Sequence, residues 1–154
     1  MHLRAFRSDD LEALYKIDQA CFAPGISYPR EELSGFIGQR RSRTWVAEEG
    51  GEIVGFLIAE QQARKVAHIV TIDVVDRWRR RRVGSLLMDA AEHWAREQKL
   101  LLVSLETAEN NTAAQRFYEA RGYRKVNCVE SYYSDGASAW IMVRWLKGKE
   151  AADV

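Results

Sequence analysis

Residues 66–95 read VAHIVTIDVVDRWRRRRVGSLLMDAAEHWA, and this stretch decides the fold class. Its first ten residues are mostly Val, Ile and Thr, which is typical of a β-strand. From Val83 to Trp94 the apolar residues recur three and four positions apart, which predicts an amphipathic helix. A strand therefore leads through an arginine-rich turn directly into the N-terminus of a helix.

The elements predicted around this stretch complete one sheet with helices on both of its faces. Strands are predicted over residues 3–7, 44–48, 52–62, 66–75, 100–106, 123–129 and 139–145. Further helices are predicted from a capping box at Asp9 and Glu12, from near Pro29, and over residues 111–121, where Gly122 ends the last one. The order βααβββαβαββ predicts an α/β fold of the α+β type with a mixed sheet.

Length and composition exclude several other classes of protein. The 154 residues predict a single domain over residues 1–146 and a flexible C-terminal tail over residues 147–154. Lys and Arg number 23 against 22 Asp and Glu, so no overall positive field favours nucleic acid or a membrane as a partner. Because no apolar stretch approaches the roughly 20 residues of a membrane span and no signal-peptide core is present, we expect a cytoplasmic protein. The two cysteines and three histidines do not cluster, so no metal site is expected.

The arginine-rich turn, residues 79–85, is the first candidate site. It consists of Arg79, Arg80, Arg81, Arg82, Val83, Gly84 and Ser85. Free N–H groups at a helix N-terminus favour an anion, and the arginines add charge suited to phosphate. The turn therefore predicts a binding site for a cofactor that bears phosphate. A solvated basic surface and a nucleic-acid contact are the alternatives at this point.

Three residues around the fifth strand are candidates for a second site. Glu106 ends a strand of the buried type, where a carboxylate is either paired or has a raised pKa and can act as a base. Asn111 can cap the following helix, and Tyr118 lies about two turns further along the same face. The alternatives are a Glu that reaches water or an arginine, and a Tyr that fills the core.

Aromatic residues in two loops form a third candidate site. Phe22, Tyr28 and Pro29 lie between the first two helices, and Tyr132 and Tyr133 lie in the last connection between strands. Paired loops of this kind can form the mouth of a substrate site. Small hydrophobic clusters under long loops are the alternative.

Together these features resemble the GNAT superfamily of acetyl-CoA-dependent N-acetyltransferases, from residue 3 to about residue 145. Residues 79–84 are similar to the Gln/Arg-x-x-Gly-x-Gly/Ala motif that follows the fourth strand in that family, with Arg82 in place of its first glycine. Three later segments resemble the ribosomal-protein-alanine acetyltransferases within it. These segments are Leu105-Glu106-Thr107, Asn111, and Phe117-Tyr118-Glu119-x-x-Gly122-Tyr123.

The resemblance implies a role for each candidate residue. The fourth and fifth strands of a mostly antiparallel sheet would splay apart, with the pantetheine of acetyl-CoA between them on backbone groups of Ile72, Asp73 and Val74. The pyrophosphate would lie on residues 79–85, and Asn111 and Tyr118 would also contact the cosubstrate. Glu106, through a water molecule, would act as the base, and Tyr118 as the acid. Tyr28, Pro29, Tyr132 and Tyr133 would bind the acceptor.

The resemblance also implies acetyl transfer to the α-amine of a protein or peptide N-terminus, with a ribosomal protein among the expected acceptors. A terminal amine with a pKa near 8 is roughly 10% neutral at pH 7, against roughly 0.04% for a lysine, so it needs a less powerful base. The alternatives are an acetyltransferase for a small free amine, such as an amino acid, a polyamine or an aminoglycoside, and a non-catalytic acyl-CoA-binding module. A monomer and a homodimer are both compatible with the sequence. At Arg82 we expect a negative φ, which any residue can adopt.

Overall fold

The computed structural model describes residues 1–146 of the protein, which form a seven-stranded sheet in the order β1-β2-β3-β4-β5-β7-β6. The strands are β1 (His2–Ala5), β2 (Ser42–Glu49), β3 (Glu52–Gln62), β4 (Val66–Val74), β5 (Leu102–Ala108), β6 (Arg124–Val129) and β7 (Ala139–Trp145). Only β4 and β5 run parallel, and every other neighbouring pair is antiparallel. The tail predicted over residues 147–154 lies outside the described residues.

Four α-helices cover the two faces of the sheet. They are α1 (Leu11–Cys21), α2 (Arg30–Ile37), α3 (Val83–Glu97) and α4 (Thr112–Ala120), with single 3-10 turns at Ser8–Asp10 and Asp76–Trp78. Alternate strand residues separate the two layers, because Val46 packs with the α1 and α2 side chains whereas Ala47 packs with α3. The predicted fold class and element order are confirmed. No helix within residues 1–146 is both long and apolar enough to cross a membrane.

The parallel strands β4 and β5 separate along their length. They pair at only three positions, and the last pair is His68 with Ser104. Beyond it β4 continues to Val74 and β5 to Ala108 with no pairing between them, so a gap opens between the strands. The predicted splay is therefore confirmed, and the edge of β4 that faces this gap offers backbone groups that no ladder occupies.

A β-bulge in β4 lies beside this gap. Ile58 of β3 pairs with Thr71 but Ala59 pairs with Ile69, so Val70 is an extra residue. Because side chains alternate along a strand, the extra residue reverses which positions face each helical layer. Ile69 before the bulge and Ile72 after it therefore both pack with the α3 cluster although they are three positions apart, whereas Val70 packs with α1 and α2.

The start of α1 differs from the sequence prediction. Asp9 and Glu12 do not form a capping box, because a 3-10 turn precedes the helix and α1 begins at Leu11. The capping acceptor is Asp10, which accepts the Arg7 N–H at 2.7 Å. Two guanidinium N–H groups of Arg4 donate to the same carboxylate at 2.8 and 2.9 Å, six residues away along the chain.

Candidate active site

The predicted base, Glu106, is hydrogen-bonded to a histidine that the sequence analysis did not identify. His68 Nε2 lies 2.8 Å from Glu106 Oε1 and 3.0 Å from Oε2. The other ring nitrogen, Nδ1, lies 2.9 Å from Glu60 Oε2. The three side chains, 13 to 17% exposed, form a continuous array that we call the Glu-His-Glu chain. It lies at the closed end of the gap, because His68 is in the last pair between β4 and β5.

The protonation of the Glu-His-Glu chain follows from its geometry. Ionised carboxylates only accept hydrogen bonds, so His68 satisfies both Glu60 and Glu106 only when both of its ring nitrogens carry protons. Burial lowers the pKa of His68, but the hydrogen bond and charge of Glu106, followed by those of Glu60, outweigh burial and raise it above its ordinary value. The Glu-His-Glu chain therefore keeps both ring protons of His68 to a higher pH than an isolated histidine would.

The same geometry bears on metal binding. Glu60 and Glu106 approach His68 from strands on opposite sides of β4, so its two nitrogens point away from each other. A single ion could not be reached by both nitrogens. Over residues 1–146 no three His, Cys, Asp or Glu side chains are grouped in a way that could hold a metal ion.

The aromatic residues of the two loops approach Glu106. Burial followed by the charge of Glu106 raises the pKa of Tyr132 to about 12, and the same causes raise the pKa of Tyr133. Tyr28 is linked to β4, because its hydroxyl donates to the Val70 carbonyl at 3.3 Å. The predicted acceptor residues Tyr28, Tyr132 and Tyr133 are therefore placed around the predicted base.

The two loops also contact each other, although the fourth acceptor residue lies farther out. The Ser134 hydroxyl donates to the Gly25 carbonyl at 2.9 Å, which joins the last loop to the loop between α1 and α2. Pro29 is the N-cap of α2 and lines a groove of about 290 Å³ on the outer side of that loop. Tyr28 lines the same groove, whereas Glu106 does not.

The predicted acid, Tyr118, is buried with its hydroxyl unpaired. Its side chain packs edge-on against Phe117 and Tyr123, and its hydroxyl has no hydrogen bond within residues 1–146 but is not fully enclosed. Burial, followed by the charge of Asp73, raises the pKa of Tyr118 above its ordinary value. The phenol therefore keeps its proton at neutral pH, as a proton donor must. Asn111 caps α4 as predicted, because its Oδ1 accepts the Ala114 N–H at 3.1 Å.

The arginine-rich turn presents free N–H groups, as the anion-site prediction requires. The first hydrogen bond of α3 runs from the Leu86 N–H to the Arg82 carbonyl at 3.0 Å. The N–H groups of Val83, Gly84 and Ser85 precede it and have no partner within the part of the chain that the structure describes. The side chain of Arg80 is exposed, whereas Arg79 donates to the Val74 carbonyl and the Arg81 guanidinium lies over the Trp78 ring.

The prediction of a negative φ at Arg82 is wrong. Arg82 is the N-cap of α3 with φ +68° and ψ 10°, in the left-handed region that favours glycine. The chain therefore keeps the turn geometry of a glycine at this position, at a cost of about 1 to 2 kcal/mol for a residue with a Cβ. Gly84 has another role, because a Cβ there would meet the Phe117 ring at 3.3 Å, so it allows α3 and α4 to approach.

Ile72, Asp73 and Val74, the predicted pantetheine residues, lie in the part of β4 that does not pair with β5, and the Asp73 side chain has a further environment. It is 1% exposed, and its Oδ1 accepts the Thr71 hydroxyl at 2.5 Å. Burial, followed by the neighbouring Asp18, raises the pKa of Asp73 well above its usual range. The other carboxyl, Asp18, is fully buried and accepts the Tyr28 N–H at 2.7 Å, so this acidic pair connects β4 to the acceptor loop.

Comparison with known proteins identifies the family of this site. Residues 11–123 match the acetyltransferase (GNAT) family. The chain belongs to the GNAT family. An uncharacterized N-acetyltransferase of Methanocaldococcus jannaschii is 29% identical over 145 residues, which cover 94% of this chain and 91% of the relative. The N-alpha-acetyltransferase of Sulfurisphaera tokodaii is 26% identical over 152 residues, which cover 91% and 90%.

Solved structures agree with this assignment. Ard1 from Thermoplasma volcanium superposes with a TM-score of 0.85 at 32% identity, covering 94% of this chain and 96% of that one. The ribosomal-protein-S18-alanine N-acetyltransferase from Escherichia coli has the same fold, with a TM-score of 0.84 at 22% identity over 94% and 93% of the two chains. The GNAT protein is therefore an acetyl-CoA-dependent acyltransferase, as the sequence predicted.

Proposed function

We propose that this GNAT protein transfers the acetyl group of acetyl-CoA to the α-amine of a protein or peptide N-terminus in the cytoplasm. The observation that carries the proposal is the Glu-His-Glu chain at the closed end of the gap between β4 and β5. The N-alpha-acetyltransferase of Sulfurisphaera tokodaii supports the choice of acceptor. The likeness to the ribosomal-protein-S18-alanine enzyme makes a ribosomal protein one acceptor to test.

The gap and the turn fit the two halves of acetyl-CoA. Backbone groups of Ile72, Asp73 and Val74 on the β4 edge that β5 does not pair would hold the pantetheine, and the free N–H groups of residues 83–85 would hold the pyrophosphate. Arg80 is exposed beside those N–H groups and supplies positive charge. The cosubstrate supplies the thioester whose carbonyl carbon is attacked, and the Val74 N–H would polarise that carbonyl.

The transfer needs one group that removes a proton and one that returns it. The acceptor arrives as an ammonium ion and loses a proton to the Glu-His-Glu chain on its Glu106 side, directly or through a water molecule. The neutral nitrogen then forms a bond to the acetyl carbon while the carbon–sulfur bond breaks. The departing thiolate takes the proton of the Tyr118 hydroxyl, which its raised pKa keeps in place until then. The nitrogen loses its second proton as the amide forms, and this proton restores the Tyr118 hydroxyl through water, while the first proton leaves the Glu-His-Glu chain to solvent. Neither cysteine is required as a nucleophile.

The titration of the Glu-His-Glu chain suits a terminal amine better than a lysine side chain. The raised pKa of His68 brings it closer to the pKa of a terminal amine, about 8, than to that of a lysine, about 10.4. Proton transfer is efficient when the two pKa values are close. This match favours an N-terminus over a lysine side chain, and the aromatic hydroxyls of Tyr28 and Tyr132 beside Glu106 suit peptide amides.

The test is acetyl-CoA turnover across peptides with different N-terminal residues, amino acids, polyamines and an aminoglycoside. We expect turnover of unblocked peptides, none of the same peptides with a blocked N-terminus, and a loss of at least ~100-fold in Glu106→Gln. CoA binding, followed by calorimetry, should survive that substitution, and the exposed Glu109→Gln serves as the matched control. Turnover of small amines alone would identify the small-amine alternative. CoA binding without turnover of any amine would identify a non-catalytic acyl-CoA-binding module.

A further inference from the structure

We propose that Glu60 is a positioning residue for acetyl transfer, because it holds the Nδ1 proton of His68 and so leaves Nε2 as the nitrogen that exchanges a proton beside Glu106. The inference rests on the proposed function, since it concerns the base of that reaction. Glu60 does not itself face the gap, because β3 lies on the opposite side of β4 from β5. It can act only through His68.

The contact between Glu60 and His68 is fixed by the sheet. The two residues are directly opposite each other on the antiparallel strands β3 and β4, where side chains on the same face are close neighbours. The Glu60 Oε2 to His68 Nδ1 distance is 2.9 Å, and both side chains are largely buried. Neither partner has to leave its place in the strand to make the bond, so the ring orientation is determined before any acceptor binds.

The effect on the base follows from counting protons. With both ring nitrogens protonated, His68 donates to Glu60 and to Glu106. When the Glu-His-Glu chain loses one proton, one ring nitrogen of His68 must become a hydrogen-bond acceptor. Retaining the Nδ1 proton on the Glu60 side leaves Nε2 open toward Glu106 and the gap. The opposite tautomer would keep Nε2–H bonded to Glu106, so Nε2 itself could not take up a proton.

The groups that face the Glu-His-Glu chain support the retention of the His68 proton on Nδ1. Glu60 approaches from β3 and Glu106 from β5, while Tyr28 and Tyr132 approach from the two loops. Both tyrosines have pKa values raised above their ordinary range, so they remain neutral while His68 titrates. The charges that control the His68 proton are therefore the carboxylates of Glu60 and Glu106. Of the two, Glu60 lies away from the gap, so an amine substrate can bind without disturbing its contact with His68.

The experiment compares the wild-type protein with Glu60→Gln and with Glu97→Gln. Glu97 is the matched control because it also faces a histidine, His93, at 3.4 Å, but on the exposed side of α3. We expect kcat in Glu60→Gln to fall about 10-fold, as for other partners that orient an imidazole, while KM for the peptide changes by less than about 2-fold. The acid limb of kcat/KM should move to lower pH, because a negative neighbour of His68 has been removed. Glu97→Gln should keep the wild-type profile.

A second measurement does not depend on turnover. The ¹⁵N shifts of the His68 ring, assigned with His68→Gln, report which nitrogen keeps its proton as pH rises. We expect Nδ1–H in the wild-type protein, and in Glu60→Gln a lower pKa with Nδ1–H no longer favoured. An unchanged acid limb and kcat in Glu60→Gln, or an Nε2–H tautomer in the wild-type protein, would overturn the inference. If the ring titration is as expected but the protein acetylates no N-terminus, the proposed function is wrong. The positioning of His68 by Glu60 is then still supported.

Discussion

Replacing Asp73 with Asn should remove a pH dependence of stability that the buried acidic pair creates. Asp73 and Asp18 are both almost completely buried, and one oxygen of each, Asp73 Oδ2 and Asp18 Oδ1, has no hydrogen-bond donor within residues 1–146. Two buried carboxyls can satisfy each other when one of them carries a proton. Burial, followed by Asp18, raises the pKa of Asp73 well above its usual range, so the acidic pair keeps a proton where an isolated aspartate would be ionised.

The sign and size of the effect follow from proton linkage. An unfolded aspartate ionises near pH 3.9, whereas folded Asp73 keeps its proton to higher pH. Stability from the protonated form is therefore complete below the unfolded pKa and is lost as pH rises through the folded pKa. Over that interval the free energy of unfolding falls by up to about 1.4 kcal/mol per pH unit for one proton. The substitution Asp73→Asn should flatten this slope, because an amide N–H, which does not titrate, replaces the acid proton toward Asp18.

The assay is urea unfolding followed by tryptophan fluorescence between pH 5 and 9. We expect the difference in unfolding free energy between Asp73→Asn and wild type to grow with pH in favour of the variant. The exposed Asp9→Asn should differ from wild type by a constant amount, and it controls for the loss of one acidic residue. His68 also loses stabilisation as pH rises, but it is present in all three proteins and cancels in the differences. A variant with the wild-type slope, or one that is less stable at every pH, would refute the shared proton.

Two further substitutions test the remaining parts of the site. Tyr118→Phe should lower kcat at least ~100-fold with little change in urea stability, because the lost hydroxyl has no hydrogen-bond partner among residues 1–146; a rate within a few fold of wild type would exclude the acid role. Arg82→Gly should raise the free energy of unfolding by up to about 1 kcal/mol, since release of about 1 to 2 kcal/mol of left-handed strain exceeds the added freedom of the unfolded chain. Urea unfolding measures the second effect, and a less stable variant would show that the turn is not strained.

The fold could be predicted from sequence wherever a local pattern determines the structure. The strand Ala139–Trp145 and the helix start at Val83 agree with the prediction because apolar spacing defines them. Asn111 and Gly122 end their helix as expected, with Gly122 at φ +95°, because capping depends on a few neighbouring residues. Arg82 was mispredicted because its conformation is imposed by the turn, and its side chain gives no local signal of a positive φ.

The partner of the predicted base required long-range pairing. Glu106 lies 38 positions from His68 in the chain, so no motif spacing connects the two residues. The pair of Glu60 and His68 could nevertheless have been predicted from the sequence. The predicted strands 52–62 and 66–75 form a hairpin, and Glu60 and His68 are equally distant from Arg64 at its turn. A histidine opposite a glutamate on a half-buried strand is a signal that hairpin register can supply.

The bulge at Val70 explains why the two acidic features can occupy the same strand. Without it, strict alternation would place Asp73 on the face of Ile69, in the apolar cluster under α3, where a carboxyl would have no partner. The extra residue instead turns Asp73 toward Asp18 of α1, while Ile72 and Val74 take the face toward α3. His68 lies before the bulge and therefore shares a face with Asp73 although five positions separate them. One inserted residue thus directs both the imidazole of the proposed base and the carboxyl that connects to the acceptor loop to the same side of the sheet, beside the gap where β4 and β5 part.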